Sequence, residues 1–397
     1  MAIIWITCGL MYWWKNEKRK TTSKQNLYAN WPYVTILIPC HNEERIITNT
    51  CKKLLKIDYP KYRVIFIDDA SNDNTSKLIR KWLNLTSNFH LLRLEENQGK
   101  SNALNSALAV AGSTPITVIM DADTLPHPAS IKILVKELMS SHDVGAVTGH
   151  PIVENRNNIL EKLQTIEFTS IIGLIKRAQN LYGHIFSISG CIAAFKTDAL
   201  FKVGGFSTIT ATEDIDITWR LQKAFYRVVY IPQAIVYIQV PNKFSEFWKQ
   251  RKRWALGGWH LLRTHKDVLL KWKWRRLWPI YIEVLLSYIW SILFILGVIT
   301  WIVANRILLL EELGISPLPS YTSILILICL IQFVVSIKLN YQYDKKLWKL
   351  FFLIIWYPFL YFCIGALSVC RTAAKGVFQD MDSAGKWKSP ARVKLKN

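Results

Sequence analysis

Residues 116–124 read Ile-Thr-Val-Ile-Met-Asp-Ala-Asp-Thr. An unbroken apolar and β-branched run predicts a strand buried on both faces. The Asp121-Ala122-Asp123 that ends it predicts a loop at the strand's carboxyl end. The same grammar recurs upstream. Residues 64–67 form a short apolar run closed by Asp68-Asp69-Ala70-Ser71, residues 34–39 form another that ends in proline, and residues 90–94 form a further one. Helix-like stretches lie between them at 43–55 and 75–83, the second with Asn74-Thr75 as its expected cap. From Pro32 to about Tyr237 this alternation predicts an α/β domain, with a mostly parallel sheet and helices on both faces. Ligands bind such sheets at the carboxyl ends of the strands, so both acidic loops converge on one edge.

Each motif admits a chemical and a plain reading. Asp121 and Asp123, one residue apart, can hold a hard divalent cation, Mg2+ or Mn2+, against the two phosphates of a nucleotide sugar; a plain acidic turn is equally common. Asp68 or Asp69 can accept a hydrogen bond from a uracil N–H, or end a strand as a capping turn beside Asn72 and Asn74. Thr212-Glu213-Asp214 precedes the helical stretch 215–222, where acids usually serve as caps. A carboxylate there can also act as general base on an acceptor hydroxyl. Lys100 follows Gly99 at a helix start and is either a nucleotide contact or a solvated lysine. Ser189-Gly190-Cys191 is a small-residue stretch suited to an acceptor channel or a tightly packed strand. Gln250-Arg251-Lys252-Arg253-Trp254 lies in the amphipathic stretch 244–262, which reads as an interfacial helix. In that placement Arg251 or Arg253 can pair with a diphosphate, and Trp254 can stack on a sugar ring.

The chain has 397 residues, 51% of them hydrophobic, and a net charge of +22. Its basic residues cluster at 15–24, 249–253, 271–276, 345–349 and 386–396, mostly beside apolar segments, which points to membrane topology rather than nucleic acid. No zinc-finger spacing or RNA-binding aromatic motif is present. None of the seven cysteines forms a CxxC pair, so a reduced, cytosolic catalytic region without disulfides is expected. Residues 278–304 read as a membrane span and 321–337 as a shorter one. Residues 347–370 read as a third, interrupted at Pro358, which permits a full crossing or a re-entrant hairpin. The loop 305–320 suits the outside and the basic loop 338–349 the inside. A full third crossing would put the basic tail outside, against the positive-inside rule. Residues 1–14 are apolar but shorter than the roughly 20 needed to cross. They read as the latter part of a spanning helix or as a shallow anchor. These readings divide the chain into a membrane segment (1–14), a cytosolic domain (32–240), interfacial helices (241–276), a membrane region (277–370) and a basic tail (371–397).

Taken together the motifs resemble the family 2 inverting glycosyltransferases, and among them the processive membrane synthases of cellulose, chitin and hyaluronan. The likeness is nearest to the bacterial synthases of β-1,6-linked poly-N-acetylglucosamine. Further carriers are Gly99 to Asn105, Gly145-Ala146-Val147-Thr148-Gly149, Ile171 to Arg177, and Trp248 to Gly258. The resemblance implies a GT-A fold with a Rossmann-like mixed sheet, in a multi-pass protein of the plasma membrane whose catalytic domain faces the cytosol. It implies UDP-N-acetylglucosamine as donor, a growing polysaccharide as acceptor, a divalent cation, membrane lipid around the helices and a small membrane partner subunit. By motif position Asp68 and Asp69 would bind uracil, Asp121 and Asp123 the diphosphate and metal, and Asp214 would be the base, flanked by Glu213. Gln250, Arg251, Arg253 and Trp254 would bind diphosphate and acceptor. Three alternatives stay open: the same fold and mechanism making another polysaccharide of the hyaluronan, chitin or cellulose type, transfer of a single sugar to a lipid carrier, and a scaffold with a decayed transferase domain.

Overall fold

A computed structural model describes residues 2–18, 30–307 and 321–378. Most of the 305–320 loop, part of the first basic cluster and the tail beyond residue 378, with the whole of the last basic cluster, lie outside the described residues. Among the described residues eight strands form one sheet in the order β3-β2-β1-β4-β7-β6-β8-β5. They are β1 (Val34–Cys40), β2 (Tyr62–Asp68), β3 (Phe89–Arg93), β4 (Ile116–Met120), β5 (Leu125–Pro126), β6 (Val144–Val153), β7 (Ile192–Lys196) and β8 (Arg227–Ile238). The first half is parallel, as β1 pairs with β2 and β4, and β2 with β3. The second half is mixed, because β7 runs antiparallel to β4 and β6 while β8 is parallel to β6.

β1 and β4 are buried at every position, as unbroken apolar runs require. Side-chain alternation divides them between two cores. Val34, Ile36, Ile38, Val64, Phe66 and Val118 pack on one face, with Ile47, Ile79 and Leu134 from the helices there. Leu37, Ile65, Ile67 and Ile119 pack on the other, with Leu104, Leu108, Ile217 and Leu221. The parallel register pairs Cys40 with Asp68 and Leu37 with Ile119. The carboxyl ends of β1, β2 and β4 therefore share one edge, which carries both acidic loops.

Two local expectations change. The first helix spans Ile47–Leu54 rather than starting at Glu43. The Glu43 N–H instead donates to Thr75 Oγ1, so the chain crosses to the neighbouring loop before it coils. Asn74 stands at the start of the Thr75–Leu83 helix but does not cap it with its side chain. Its amide donates to Glu44 Oε2, and Asp73 Oδ1 accepts from Thr75 N.

Beyond β8 the chain turns helical. The Phe244–Thr264 helix is followed by a long apolar helix, Trp278–Ile307, then Tyr321–Asn340. Among the described residues one helix, within Trp272–Val303, is long and apolar enough to cross a membrane, and Ile326–Asn340 is a shorter apolar one. The expected third segment is broken before Pro358: a 3-10 stretch, Lys345–Ile355, gives way to the helix Tyr357–Phe378. Pro358 thus falls in a first helical turn, where its missing N–H is tolerated. At the amino end the helix Ala2–Tyr12 runs into a π-helical turn, Trp13–Lys18.

A buried ion pair ties these segments together. Arg177 Nε lies 2.6 Å from Glu17 Oε1, with side-chain exposures of 0% and 3%. Gln342 and Tyr343 also donate to Glu17, and Asn340 Oδ1 accepts from Arg177. Removing one partner of such a pair leaves an uncompensated buried charge. Glu17→Ala is expected to cost about 3–5 kcal/mol, read as a large fall in melting temperature of the detergent-solubilised protein. An unchanged melt would show that the pair is dispensable.

Candidate active site

Three chain segments meet at the sheet edge. The turn after β4 carries Asp121, whose N–H donates to Cys191 O at 3.3 Å and whose carbonyl accepts from Thr124 N. The Lys100–Ala111 helix begins behind Gly99, whose φ of 85° suits a residue without Cβ. The Glu213–Lys223 helix presents Glu213, Asp214 and Asp216 in its first turn, where the helix dipole favours carboxylates. Lys100 joins the three, its Nζ lying 2.7 Å from Asp121 Oδ1 and 2.7 Å from Glu213 Oε1.

Charge in this cluster is divided unevenly. Burial alone would neutralise Lys100, but Asp121 and Glu213 raise its pKa and keep it an ammonium. Burial pushes Asp121 up, with the Asp123 carboxylate adding to it and Lys100 opposing. Burial also works against ionised Glu213, but Lys100 and Arg253 prevail and hold its pKa down. Asp214 is raised to about 6, first by burial and then by the Glu213 charge, with Lys100, Arg253 and Lys176 opposing. Ser187 Oγ approaches Asp214 Oδ2 at 3.4 Å. A Cβ added at Gly190 would stand 3.4 Å from that oxygen, so the small residue keeps the carboxylate accessible.

A single cavity of about 1760 Å3 collects most of the residues singled out by sequence. Lys100, Asp121, Asp123, Glu213 and Asp214 line its sheet end. Ser189 and Gly190 line the same wall as Asp214, and Gln250, Arg251, Arg253 and Trp254 enter from the Phe244–Thr264 helix. The cavity then runs on to Glu283 and Trp290 of the long apolar helix and to Tyr361 and Phe362. Close packing at Gly257 and Gly258 seats the Phe244–Thr264 helix, since a Cβ there would overlap Thr212 and Tyr288 respectively.

Asp68 and Asp69 are fully buried and do not line this cavity. Asp69 accepts from Gln98 N and Gly99 N, both at 2.9 Å, and Asp68 Oδ1 accepts from Ser71 N. Both carboxylates are thus engaged in holding loops, and Asp69 sets the position from which Lys100 reaches its partners. Arg251 is likewise committed. Its two amino groups lie 2.5 and 2.6 Å from the Glu167 carboxylate, and its guanidinium sits 4.4 Å from the Trp254 ring. Arg253 is the exposed arginine of the motif. Gln250 Oε1 is buried with no partner among the described residues. Glu167 escaped the sequence reading. Its signal was an acid flanked by the apolar Ile166 and Phe168, a placement that asks for a buried cation. Among the described residues no group of three or more His, Cys, Asp or Glu is placed to hold a metal ion.

Known proteins place this geometry. A family model described as glycosyl transferase family group 2 matches residues 116–364. A poly-β-1,6-N-acetyl-D-glucosamine synthase of Staphylococcus epidermidis is 33% identical over 398 residues, covering 99% of this chain and 96% of that one. The protein of the same name from Staphylococcus aureus (strain COL) is 34% identical over 400 residues, with the same coverages. Among solved structures, a mannosyltransferase from Pyrobaculum calidifontis in complex with GDP-Man and Mn2+ superposes with a TM-score of 0.59 at 21% identity, over 95% of this chain and 99% of that one. The shared fold is GT-A, an α/β domain built on a mixed sheet. By the extent of these matches the chain belongs to the family 2 glycosyltransferases and is an enzyme of that class.

Proposed function

We propose that this enzyme transfers N-acetylglucosamine from UDP-N-acetylglucosamine, with inversion, to the end of a growing β-1,6-linked chain, which it passes toward the membrane. The carrying observation is the continuous cavity. It joins the carboxylate cluster to Gln250, Arg253 and Trp254 and continues among the apolar helices. The names of the staphylococcal relatives support the sugar and the linkage.

In this reading the Asp214 carboxylate takes the proton of the acceptor hydroxyl. The freed oxygen attacks the anomeric carbon from the face opposite UDP, and the bond to the β-phosphate oxygen breaks with its electron pair leaving on UDP. No enzyme nucleophile is needed. Arg253 meets the diphosphate, because Arg251 is taken by Glu167. Arg251 instead fixes the plane of Trp254, whose face receives the acceptor sugar. Gln250 Oε1, buried without a partner, accepts a sugar hydroxyl. In this reading Asp69 serves the nucleotide end by holding the loop that carries Lys100, and Asp68 by holding the turn at Ser71.

Asp121 and Asp123 fit a divalent cation. Asp121 is partly exposed at the cavity wall and already carries the Lys100 ammonium at 2.7 Å. Mg2+ commonly takes only one or two protein carboxylates and completes its shell with phosphate oxygens and water. Mg2+ or Mn2+ bound there would supply charge neutralisation to the departing diphosphate. In this reading the protein is a multi-pass protein of the plasma membrane with its GT-A domain in the cytosol, supported by the long apolar helix within Trp272–Val303 and the shorter one at Ile326–Asn340. Leu286, Leu293 and Leu296 of the long helix are exposed, as contact with lipid or with a small membrane subunit requires.

Membranes holding the chain, with its candidate small partner, are expected to make a high-mass product from UDP-N-acetylglucosamine and not from UDP-glucose or UDP-glucuronate. Asp214→Asn is expected to lower the rate by roughly 100- to 10,000-fold with melting unchanged. A polymer made only from another donor would keep the mechanism and discard the sugar.

The pH profile gives an independent check. Only ionised Asp214 can accept the proton, so kcat/KM is expected to rise with pH through about 6 and level off above it. Arg253 favours the ionised form, so Arg253→Gln should move that acid limb to higher pH. A limb that stays in place would remove Asp214 from the base role.

A further inference from the structure

Lys176 is a buried cation that the mechanism above leaves unused. It is 7% exposed and lines the cavity. Its Nζ donates to Ser189 Oγ at 2.8 Å, and among the described residues it forms no ion pair with a carboxylate. Its neighbours differ: Lys100 holds two carboxylates and Arg177 holds Glu17. An ammonium has three donors, and this one hydrogen bond engages one of them. Buried donors of that kind meet a partner in the working state. Burial lowers the Lys176 pKa to about 8, against the opposing pull of Cys191 and Asp214.

Its position indicates the partner. Lys176 follows the π-helical turn Thr169–Ile175, a local widening that re-aims the side chains after it. The same helical run presents Phe168 to Trp254 at a centroid distance of 6.4 Å, and Lys176 and Trp254 line the same cavity. Ser189, which it holds, adjoins Gly190, and Gly190 faces Asp214. The Lys100, Asp121 and Glu213 cluster marks the donor end, and among the described residues Lys176 forms no ion pair with it.

On the site reading above, we propose that Lys176 binds the acceptor, its ammonium donating to a hydroxyl or carbonyl oxygen of the terminal sugar beside the hydroxyl that Asp214 deprotonates. Ser189 is then the brace that aims the ammonium. The small side chains of Ser187 and Gly190 leave room for the ring.

The test uses the full chain with its partner, UDP-N-acetylglucosamine, and short β-1,6-linked N-acetylglucosamine oligosaccharides as acceptors. In Lys176→Met the acceptor KM is expected to rise roughly 10- to 100-fold, the range for losing a charge-assisted hydrogen bond. Donor KM and acceptor-independent UDP release should stay within about twofold, and Lys176→Arg should recover most of the acceptor affinity. A rise in donor KM with acceptor KM unchanged would assign Lys176 to the diphosphate and overturn the proposal. So would unchanged kinetics, or a uniform fall in kcat that Lys176→Arg does not relieve. If Lys176→Met does not fold, Ser189→Ala, which removes only the brace, must raise acceptor KM selectively; otherwise the proposal falls. Absence of UDP release from any donor by the unaltered enzyme would instead reject the site reading itself.

Discussion

The Lys100 ammonium is the contact on which the site depends. It holds a carboxylate from the turn after β4 and another from the first turn of the Glu213–Lys223 helix. Without it, Asp121, Asp123, Glu213 and Asp214 would gather negative charge in one half-buried pocket, and such a group protonates or moves apart. The ammonium can stand there only because Asp69, buried beneath, fixes Gln98 and Gly99 by their N–H groups. The chain of cause runs from a buried aspartate at a strand end, through a glycine with positive φ, to a lysine that organises two loops.

Glu213 and Asp214 are adjacent in sequence and differ in charge state. Glu213 touches Lys100 and is held ionised, while Asp214 forms no ion pair among the described residues and rises to about 6. Adjacent carboxylates driven apart by their partners can divide two tasks, one electrostatic and one in proton transfer. Glu213 stabilises the lysine. Asp214, poised near neutrality and open to the cavity beside Gly190, can exchange a proton.

Much of this was legible in the chain. Strands β1 to β4 fall where unbroken apolar runs predict them, and the Thr75–Leu83 helix has the expected bounds. The acidic loops reach one edge because parallel strands ending in acid can do little else. The later strands β6 to β8 were not anticipated, since antiparallel returns such as β7 carry no βαβ spacing to mark them. Side-chain partners were least visible. Asp69 and Arg251 read as ligands for substrate and prove to be held by Gly99 N and Glu167, contacts separated by 30 and 84 residues. Periodicity reports which face a residue occupies, and not which distant group it meets there.

The run from Ile159 to Tyr182 links these contacts into one device. Glu167 seats Arg251, Phe168 meets Trp254, Lys176 braces Ser189 and Arg177 holds Glu17. The same run packs on the Tyr321–Asn340 helix through Asn340, whose amide donates to Thr169 O. The wall that carries Trp254 and Lys176 is therefore braced from the membrane side as much as from the sheet. A GT-A domain cut free of the helices beyond β8 would keep the carboxylate cluster, which the turn after β4 and the Lys100–Ala111 and Glu213–Lys223 helices build. It would lose the fixed position of Trp254 and Lys176. The likeness to the staphylococcal synthases fits this dependence, for it extends over 99% of the chain and does not stop at the sheet. In the proposed reading, chemistry at the sheet edge and grip on the acceptor are thus held by different parts of the molecule. Only the second requires the helices to be in place.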